Sequence, residues 1–79
     1  MNKYQQALFI KAILAEEALK RSVNRVGEGY ETYLCRRNYE DLLDLIETSG
    51  WYEEYRSFKI MAALYYANHR KLQLLPNAV

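Results

Sequence analysis

The sequence predicts an all-α fold, a small bundle of three or four helices formed by a single helical domain over residues 1–79. Two observations lead to this prediction. Apolar residues recur three and four positions apart along most of the chain, which is typical of amphipathic helices. Glycines then divide the chain into three parts, at Gly27, Gly29 and Gly50. Three helices are therefore expected, near residues 3–26, 30–48 and 51–74.

The first predicted helix carries an apolar stripe along its whole length and a second apolar face in its first half. The stripe consists of Tyr4, Leu8, Ala12, Ala15, Leu19, Val23 and Val26. The second face consists of Ile10, Ile13 and Leu14. A helix that is apolar on two sides is normally covered on both. The sequence Gly27-Glu28-Gly29 ends the helix, because glycine favours a helix C-cap and the loop that follows.

The second predicted helix begins less clearly than the first. Tyr30, Tyr33 and Leu34 have helical spacing, although GYETYLC also fits a short strand; helix is favoured because only Thr32 is β-branched. Asn38 resembles an N-cap with Asp41 three residues later, which predicts a break near Asn38. From Tyr39 onward the helix has two distinct sides. The apolar side consists of Tyr39, Leu42, Leu43, Leu45 and Ile46, and the acidic side consists of Glu40, Asp41, Asp44 and Glu47.

The third predicted helix contains a stripe with alternating spacings of four and three residues, which indicates a buried seam. Its members are Trp51, Tyr55, Phe58, Ala62, Tyr65, His69 and Leu72. Glu53 and Glu54 in the first turn, with Arg70 and Lys71 near the end, suit the helix dipole, and Pro76 follows as a stop. The segment IMAALYYA is apolar nearly all round, which predicts burial on every side.

Charge is distributed unevenly, because residues 1–27 and 55–79 are basic whereas residues 28–54 are strongly acidic. The simplest interpretation is an acidic helix packed between two basic ones. The apolar faces outside the main stripes have more surface than one small core can bury. They predict contact with another chain, in a homodimer or a heterologous complex, through Ile10, Ile13, Leu14, Ile60 and Leu64.

Residues suited to catalysis or to metal binding are scarce. Cys35 and His69 are the only cysteine and histidine, so neither a disulfide within the chain nor a site of four such ligands can form. Cys35 is expected to be a buried structural residue. The chain lacks a glycine-rich phosphate loop, and no base is placed beside a nucleophile. These features predict a protein that is not an enzyme, with no cofactor and no bound metal.

The N-terminal region does not predict a membrane segment, because Lys11 interrupts its apolar stretch and two acids follow. A cytoplasmic location is expected, in the host cytoplasm if a phage encodes the chain.

The expected function is binding to another protein, which the chain modulates or inhibits, as small helical proteins carried by phages or plasmids do. The acidic side of the second helix favours a partner with a basic surface. Nearby tyrosines supply aromatic contacts of the kind enriched in binding hot spots. The predicted site comprises Glu40, Asp41, Asp44, Glu47, Tyr30, Tyr33 and Tyr52.

The alternative is a small helical transcriptional regulator that associates with nucleic acid. Its contacts would be the basic residues Lys20, Arg21, Arg25, Arg36 and Arg37. A helix-turn-helix around Gly50 does not fit, because Glu53 and Glu54 would open the recognition helix and repel phosphate.

Overall fold

The computed structural model describes the backbone of residues 1–74 and the side chains of residues 1–68. This part of the chain forms three α-helices, α1 (Lys3–Val26), α2 (Tyr30–Thr48) and α3 (Tyr52–Leu74), which confirms the all-α class. In the segment GYETYLC, Gly29 is the N-cap of α2 and the six residues that follow it are helical. In residues 1–74 no helix is long and apolar enough to span a membrane.

The helix ends follow from local capping chemistry. Asn2 caps α1, since its side-chain oxygen accepts a hydrogen bond from the Gln5 amide at 2.7 Å. Gly27 follows α1 with a φ of 72°, and its N–H donates to the Val23 carbonyl at 3.0 Å. Gly50 follows α2 with a φ of 77°. Glycine occupies this left-handed region without the steric cost that a Cβ atom brings.

The break predicted near Asn38 is wrong, because α2 runs without interruption from Tyr30 to Thr48. Asn38 is exposed in the middle of the helix. An asparagine there costs at most about 0.7 kcal/mol relative to alanine. The buried residues Thr32 and Ile46, which lie on either side of Asn38, tie the two halves of α2 to α1. Tertiary packing therefore overrides the local capping signal.

Helices α1 and α2 form an antiparallel hairpin. Ser22 and Thr32 meet next to the connecting loop, with their hydroxyl oxygens 2.7 Å apart. Farther along, the Tyr39 hydroxyl donates to Glu16 at 3.1 Å. At the open end Ile46 belongs to the hydrophobic cluster that contains Leu8, Phe9, Ala12 and Tyr55.

Phe9 is the centre of the core and is completely buried. Its ring centroid lies 6.5 Å from that of Trp51, 5.4 Å from that of Tyr55 and 5.6 Å from that of Phe58. These aromatic contacts fix the start of α3 against α1. Ile13, which the sequence assigns to a surface for self-association, is partly buried and packs against the same cluster.

The predicted stripe on α1 is correct in its middle and wrong at its ends. Leu8, Ala12 and Ala15 are buried, whereas Tyr4, Val23 and Val26 are exposed. The ring of Tyr4 makes a T-shaped contact with that of Trp51, at a centroid distance of 6.1 Å. The two valines lie near the connecting loop, where α3 does not reach α1. In their place the polar residues Gln5 and Ser22 are buried.

The second half of α3 projects away from the hairpin, so the predicted burial of IMAALYYA on every side is wrong within one chain. Its five large apolar residues expose between 55% and 71% of their surface: Ile60, Met61, Leu64, Tyr65 and Tyr66. Of the residues in the predicted seam, Tyr55 is buried, and Trp51, Phe58 and Ala62 are partly buried. Tyr65 is exposed, so the prediction of burial is wrong at that position. His69, Arg70, Lys71, Leu72 and Pro76 lie outside the residues whose side chains are described.

The shape of the molecule reflects this projection. Its radius of gyration is 15.3 Å, whereas a compact domain of this length has about 12 Å. The extents of 47 × 36 × 17 Å describe a flat molecule. Helix α3 is thus a core element only in its first turns.

Candidate protein-binding surfaces

The side of α2 that points away from the core is exposed along the whole helix. Tyr30 lies at its start and is 76% exposed, and Tyr33 is 51% exposed. Residues separated by three or four positions share a helix face, which places these tyrosines in line with Arg37 and the predicted acidic residues. We call this the outer face of α2, formed by Tyr30, Tyr33, Arg37, Glu40, Asp41, Asp44 and Glu47, all exposed.

The four acids of the outer face make no ion pair or hydrogen bond with the side chains of residues 1–68. The acids that do form ion pairs lie elsewhere, and they are Glu16, Glu28 and Glu31. The sequence predicts that the acidic helix packs between two basic helices. These four carboxylates do not contribute ion pairs to such packing. The bridge between α1 and α3 joins Lys59 to Glu16, with a distance of 2.6 Å between Nζ and Oε1.

The position of these charges opposes helix stability. The C-terminal end of a helix carries partial negative charge and favours cations, yet the last turn of α2 contains no basic residue. Asp44 and Glu47 lie at this end. Acids three or four residues apart also repel one another, at a few tenths of a kcal/mol per pair. Glu40 interacts favourably with Arg36, but the repulsion among the four acids is not offset by an ion pair with any described side chain.

Tyr52, the remaining predicted contact, is not on the outer face. It is exposed at the start of α3 and lines a shallow groove of about 410 Å³ between α2 and α3. The groove meets the edge of α2 at Tyr39 and Leu43, and Arg56 and Lys59 contribute positive charge. Tyr52 is thus next to the outer face, across the edge of α2.

One carboxylate contacts residues of the other two helices, and both of these residues line the groove. Glu16 of α1 accepts a hydrogen bond from the Tyr39 hydroxyl of α2 and pairs with Lys59 of α3. Burial raises the pKa of Glu16, but the hydrogen bond and charge of Lys59, together with the Tyr39 hydroxyl, outweigh burial and hold that pKa below its ordinary value. Burial and the charge of Glu16 raise the pKa of Tyr39.

Glu16 makes stability depend on acid pH. Because its pKa is lower in the folded chain than the ordinary value of 4.5, the ionised carboxylate stabilises the fold at neutral pH. This contribution disappears as the pH falls through the folded pKa. We expect the free energy of unfolding, measured by urea denaturation at several pH values, to fall on acidification less steeply in Glu16→Gln than in the parent. Lys59→Met should flatten the profile too, and profiles parallel to that of the parent would contradict this role.

The basic residues considered for nucleic-acid binding are partly neutralised. Arg36 pairs with both carboxylate oxygens of Glu28, at 2.9 and 3.0 Å, and Arg25 pairs with Glu31. Arg37 donates to the Tyr33 hydroxyl at 3.3 Å. Lys20 and Arg21 are exposed on α1. The structure therefore does not gather these residues into one unopposed basic patch.

The residues predicted for self-association fall into two separate groups. Ile10 and Leu14 are exposed on α1, and Ile60 and Leu64 are exposed on α3. The sequence prediction omitted Met61, Tyr65 and Tyr66, which add to the exposed apolar surface of α3. The signal for them in the sequence is that IMAALYYA has no polar side, a pattern that also predicts burial.

In the described part of the chain, no three histidine, cysteine or acidic side chains lie close enough to hold a metal ion. Cys35 is half-buried rather than buried, and it lines a shallow groove between α1 and α2 with Ser22 and Arg21. The chain matches no protein-family model, and no curated protein or solved structure is significantly similar to it.

Proposed function

We propose that this chain is a small non-enzymatic helical protein that binds a basic surface of another protein through the outer face of α2, and thereby modulates that protein. One observation carries the proposal. Four carboxylates lie side by side, exposed and without an ion pair among the described residues. A cationic partner would offset the repulsion that these carboxylates impose on the free helix.

The aromatic end of the outer face supplies the apolar part of the contact. Tyr30 and Tyr33 lie one turn apart and are both exposed. Tyrosine gives a large, rigid contact area with few rotatable bonds, and for this reason it is enriched in hot spots. The acids would steer the encounter and fix the register, while the tyrosines would supply most of the affinity.

A protein partner is favoured over nucleic acid by the distribution of charge. A phosphate backbone would meet the acids of α2 directly, and the nearby Arg25 and Arg36 already pair with acids. Nucleic-acid binding depends on cations that are free to replace counterions. The outer face fits a basic protein surface, including one that itself binds nucleic acid.

The test is the double charge reversal Asp44→Lys with Glu47→Lys. We expect it to weaken binding strongly and to flatten the dependence of Kd on salt, because the steering charge is lost. The melting temperature should stay constant or rise, since lysines at the end of α2 suit the helix dipole. The partner is first captured on the immobilised parent chain from lysate, identified by mass spectrometry, purified and titrated against each variant.

Two further variants make the result specific. Glu17→Lys reverses an exposed acid on α1 and should leave Kd within about twofold of the parent, because distant surface charges are screened. Arg21→Glu with Arg25→Glu tests the alternative function. If only this variant loses binding, and the parent is retained on a nucleic-acid column in a salt-dependent manner, the proposal is wrong and the chain binds nucleic acid. A marked loss of stability in the α2 variant would instead make the outer face structural.

A further inference from the structure

The groove between α2 and α3 is lined by a residue whose polar atom lacks a partner in the described part of the chain. This atom is the hydroxyl oxygen of Tyr55, which exposes only 2% of its surface. No described side chain or backbone group forms a hydrogen bond with it. A hydroxyl that is removed from water without a replacement hydrogen bond destabilises the folded chain. The atom therefore marks a position where an occupant of the groove would supply an acceptor.

The Tyr55 hydroxyl is a hydrogen-bond donor at neutral pH. Burial, the charge of Glu16 and the neighbouring Tyr52 raise the pKa of Tyr55 to about 12, so the hydroxyl keeps its proton. Tyr52 lines the same groove and is 42% exposed, and exposed side chains change rotamer within picoseconds to nanoseconds. An occupant of the groove can therefore reach the hydroxyl by displacing the Tyr52 ring.

The groove also carries positive charge that the described residues do not neutralise. Arg56 lines it, is exposed and forms no ion pair with a described side chain. Glu16, the nearby carboxylate, is balanced by its ion pair with Lys59, and the described lining itself contains no acid. An arginine binds a carboxylate through two parallel hydrogen bonds. One anionic group is therefore the complement of this site.

The remaining lining is apolar and elongated. Leu43 contributes from α2, and Ile60 and Ala63 contribute from α3. The lining residues of α3 extend from position 52 to position 63, over about 16 Å at 1.5 Å per residue. The groove volume of about 410 Å³ lies in the range of small-molecule sites, and it is too small to enclose a helix about 10 Å across over that length. The shape therefore favours an unbranched chain.

We infer that the groove between α2 and α3 is a binding site for an unbranched aliphatic carboxylate. The carboxylate accepts hydrogen bonds from the Tyr55 hydroxyl and the Arg56 guanidinium, and its chain lies against Leu43, Ile60 and Ala63. This ligand supplies the acceptor that Tyr55 lacks and the negative charge that Arg56 lacks. It also covers Ile60, which is 56% exposed without it. The site is distinct from the outer face of α2 and adds a small-molecule ligand to the proposed protein contact.

Isothermal titration calorimetry of the full chain with decanoate tests the inference. We expect one site with a Kd below about 1 mM, which a ligand of this size reaches at an ordinary affinity per atom. Decyltrimethylammonium has a chain of the same length and the opposite charge, and it should bind at least about tenfold more weakly. Absence of binding up to about 5 mM decanoate, or equal binding of the two compounds, would overturn the inference.

Tyr55→Phe tests the hydroxyl separately from the ring. The decanoate Kd should rise by about tenfold, because a hydrogen bond to the carboxylate is lost. The melting temperature of the free chain should stay constant or rise, since phenylalanine has no buried donor to satisfy. Tyr66→Phe is the control on an exposed part of α3 and should change neither quantity. An unchanged Kd in Tyr55→Phe, or a marked fall in its melting temperature, would contradict the site.

Arg56→Gln tests the charge. We expect the decanoate Kd to rise by about tenfold and the preference over decyltrimethylammonium to fall, while the melting temperature stays constant. Arg21→Gln removes another exposed arginine, on α1, and should leave the Kd within about twofold of the parent. An equal loss of affinity in both variants would mean that decanoate responds only to net charge, and would refute the site. No partner protein enters these titrations, so their failure would leave the proposed function unaffected.

Discussion

Phe9→Ala is expected to lower the free energy of unfolding by about 3–5 kcal/mol, the range for removing a large buried aromatic side chain. Phe9 contacts three aromatic rings from the start of α3, so its loss opens a cavity where all three helices meet. A domain of this size has a net stability of roughly 3–5 kcal/mol. The variant should therefore be largely unfolded at 25 °C when helix content is followed by circular dichroism during urea denaturation.

Tyr66→Ala is the matched control, because Tyr66 is an aromatic residue of α3 that is 65% exposed. Its effect on unfolding should remain within about 0.5 kcal/mol at concentrations where the chain is monomeric. If Phe9→Ala and Tyr66→Ala unfold at similar urea concentrations, then the aromatic cluster around Phe9 is not the core.

Thr32→Val should lower the free energy of unfolding by about 1–3 kcal/mol, although valine has nearly the same shape as threonine. The Thr32 hydroxyl is completely buried and donates its one proton to the Gly27 carbonyl. It must therefore accept the hydrogen bond from Ser22, whose oxygen lies 2.7 Å away. Valine leaves both Ser22 and the Gly27 carbonyl without this partner beside the loop.

Thr48→Val provides the control for this substitution. The Thr48 hydroxyl is exposed and donates to the Leu45 carbonyl within its own helix, at 3.2 Å. Its loss should change stability by less than about 0.5 kcal/mol. The double variant Ser22→Ala with Thr32→Val should cost less than the sum of its parts, because removing both partners leaves fewer unsatisfied groups. Additive effects would contradict the hydrogen bond.

The positions of the helices could be predicted from the sequence because the glycines and the 3–4 spacing are local signals. The ends of α1 and α2 agree with those predictions at Val26, Tyr30 and Thr48. The false break at Asn38 shows the limit of such signals. A capping pattern reports what a short segment prefers, whereas the buried Thr32 and Ile46 hold the residues between them in one helix.

The arrangement of the core could not be predicted, because it depends on the angle at which α3 meets the hairpin. Phe9 lies between the two apolar faces assigned to α1, and only the approach of Trp51, Tyr55 and Phe58 makes it central. The same angle leaves Ile60 and Leu64 outside. Sequence patterns show that a residue is apolar, but they do not show which chain will cover it.

The candidate site was predictable to the extent that it lies on one helix. The acids of α2 share a face by spacing alone, and their exposure agrees with that pattern. Tyr52 is on another helix, and its place in the groove beside Leu43 depends on the packing of α3. The ion pairs that occupy Arg25 and Arg36 depend on the path of the loop between α1 and α2.

The projecting half of α3 divides the stability of this small protein into two parts. Its first turns unfold only when the core unfolds, since Tyr55 belongs to that core. Residues 60–68 have few tertiary contacts to lose, and an isolated helix of this length is marginal in water. Local opening there therefore costs much less free energy than global unfolding. A second chain on this surface would make helix formation and association a single equilibrium, so that the protein's own concentration sets how much of α3 is helical.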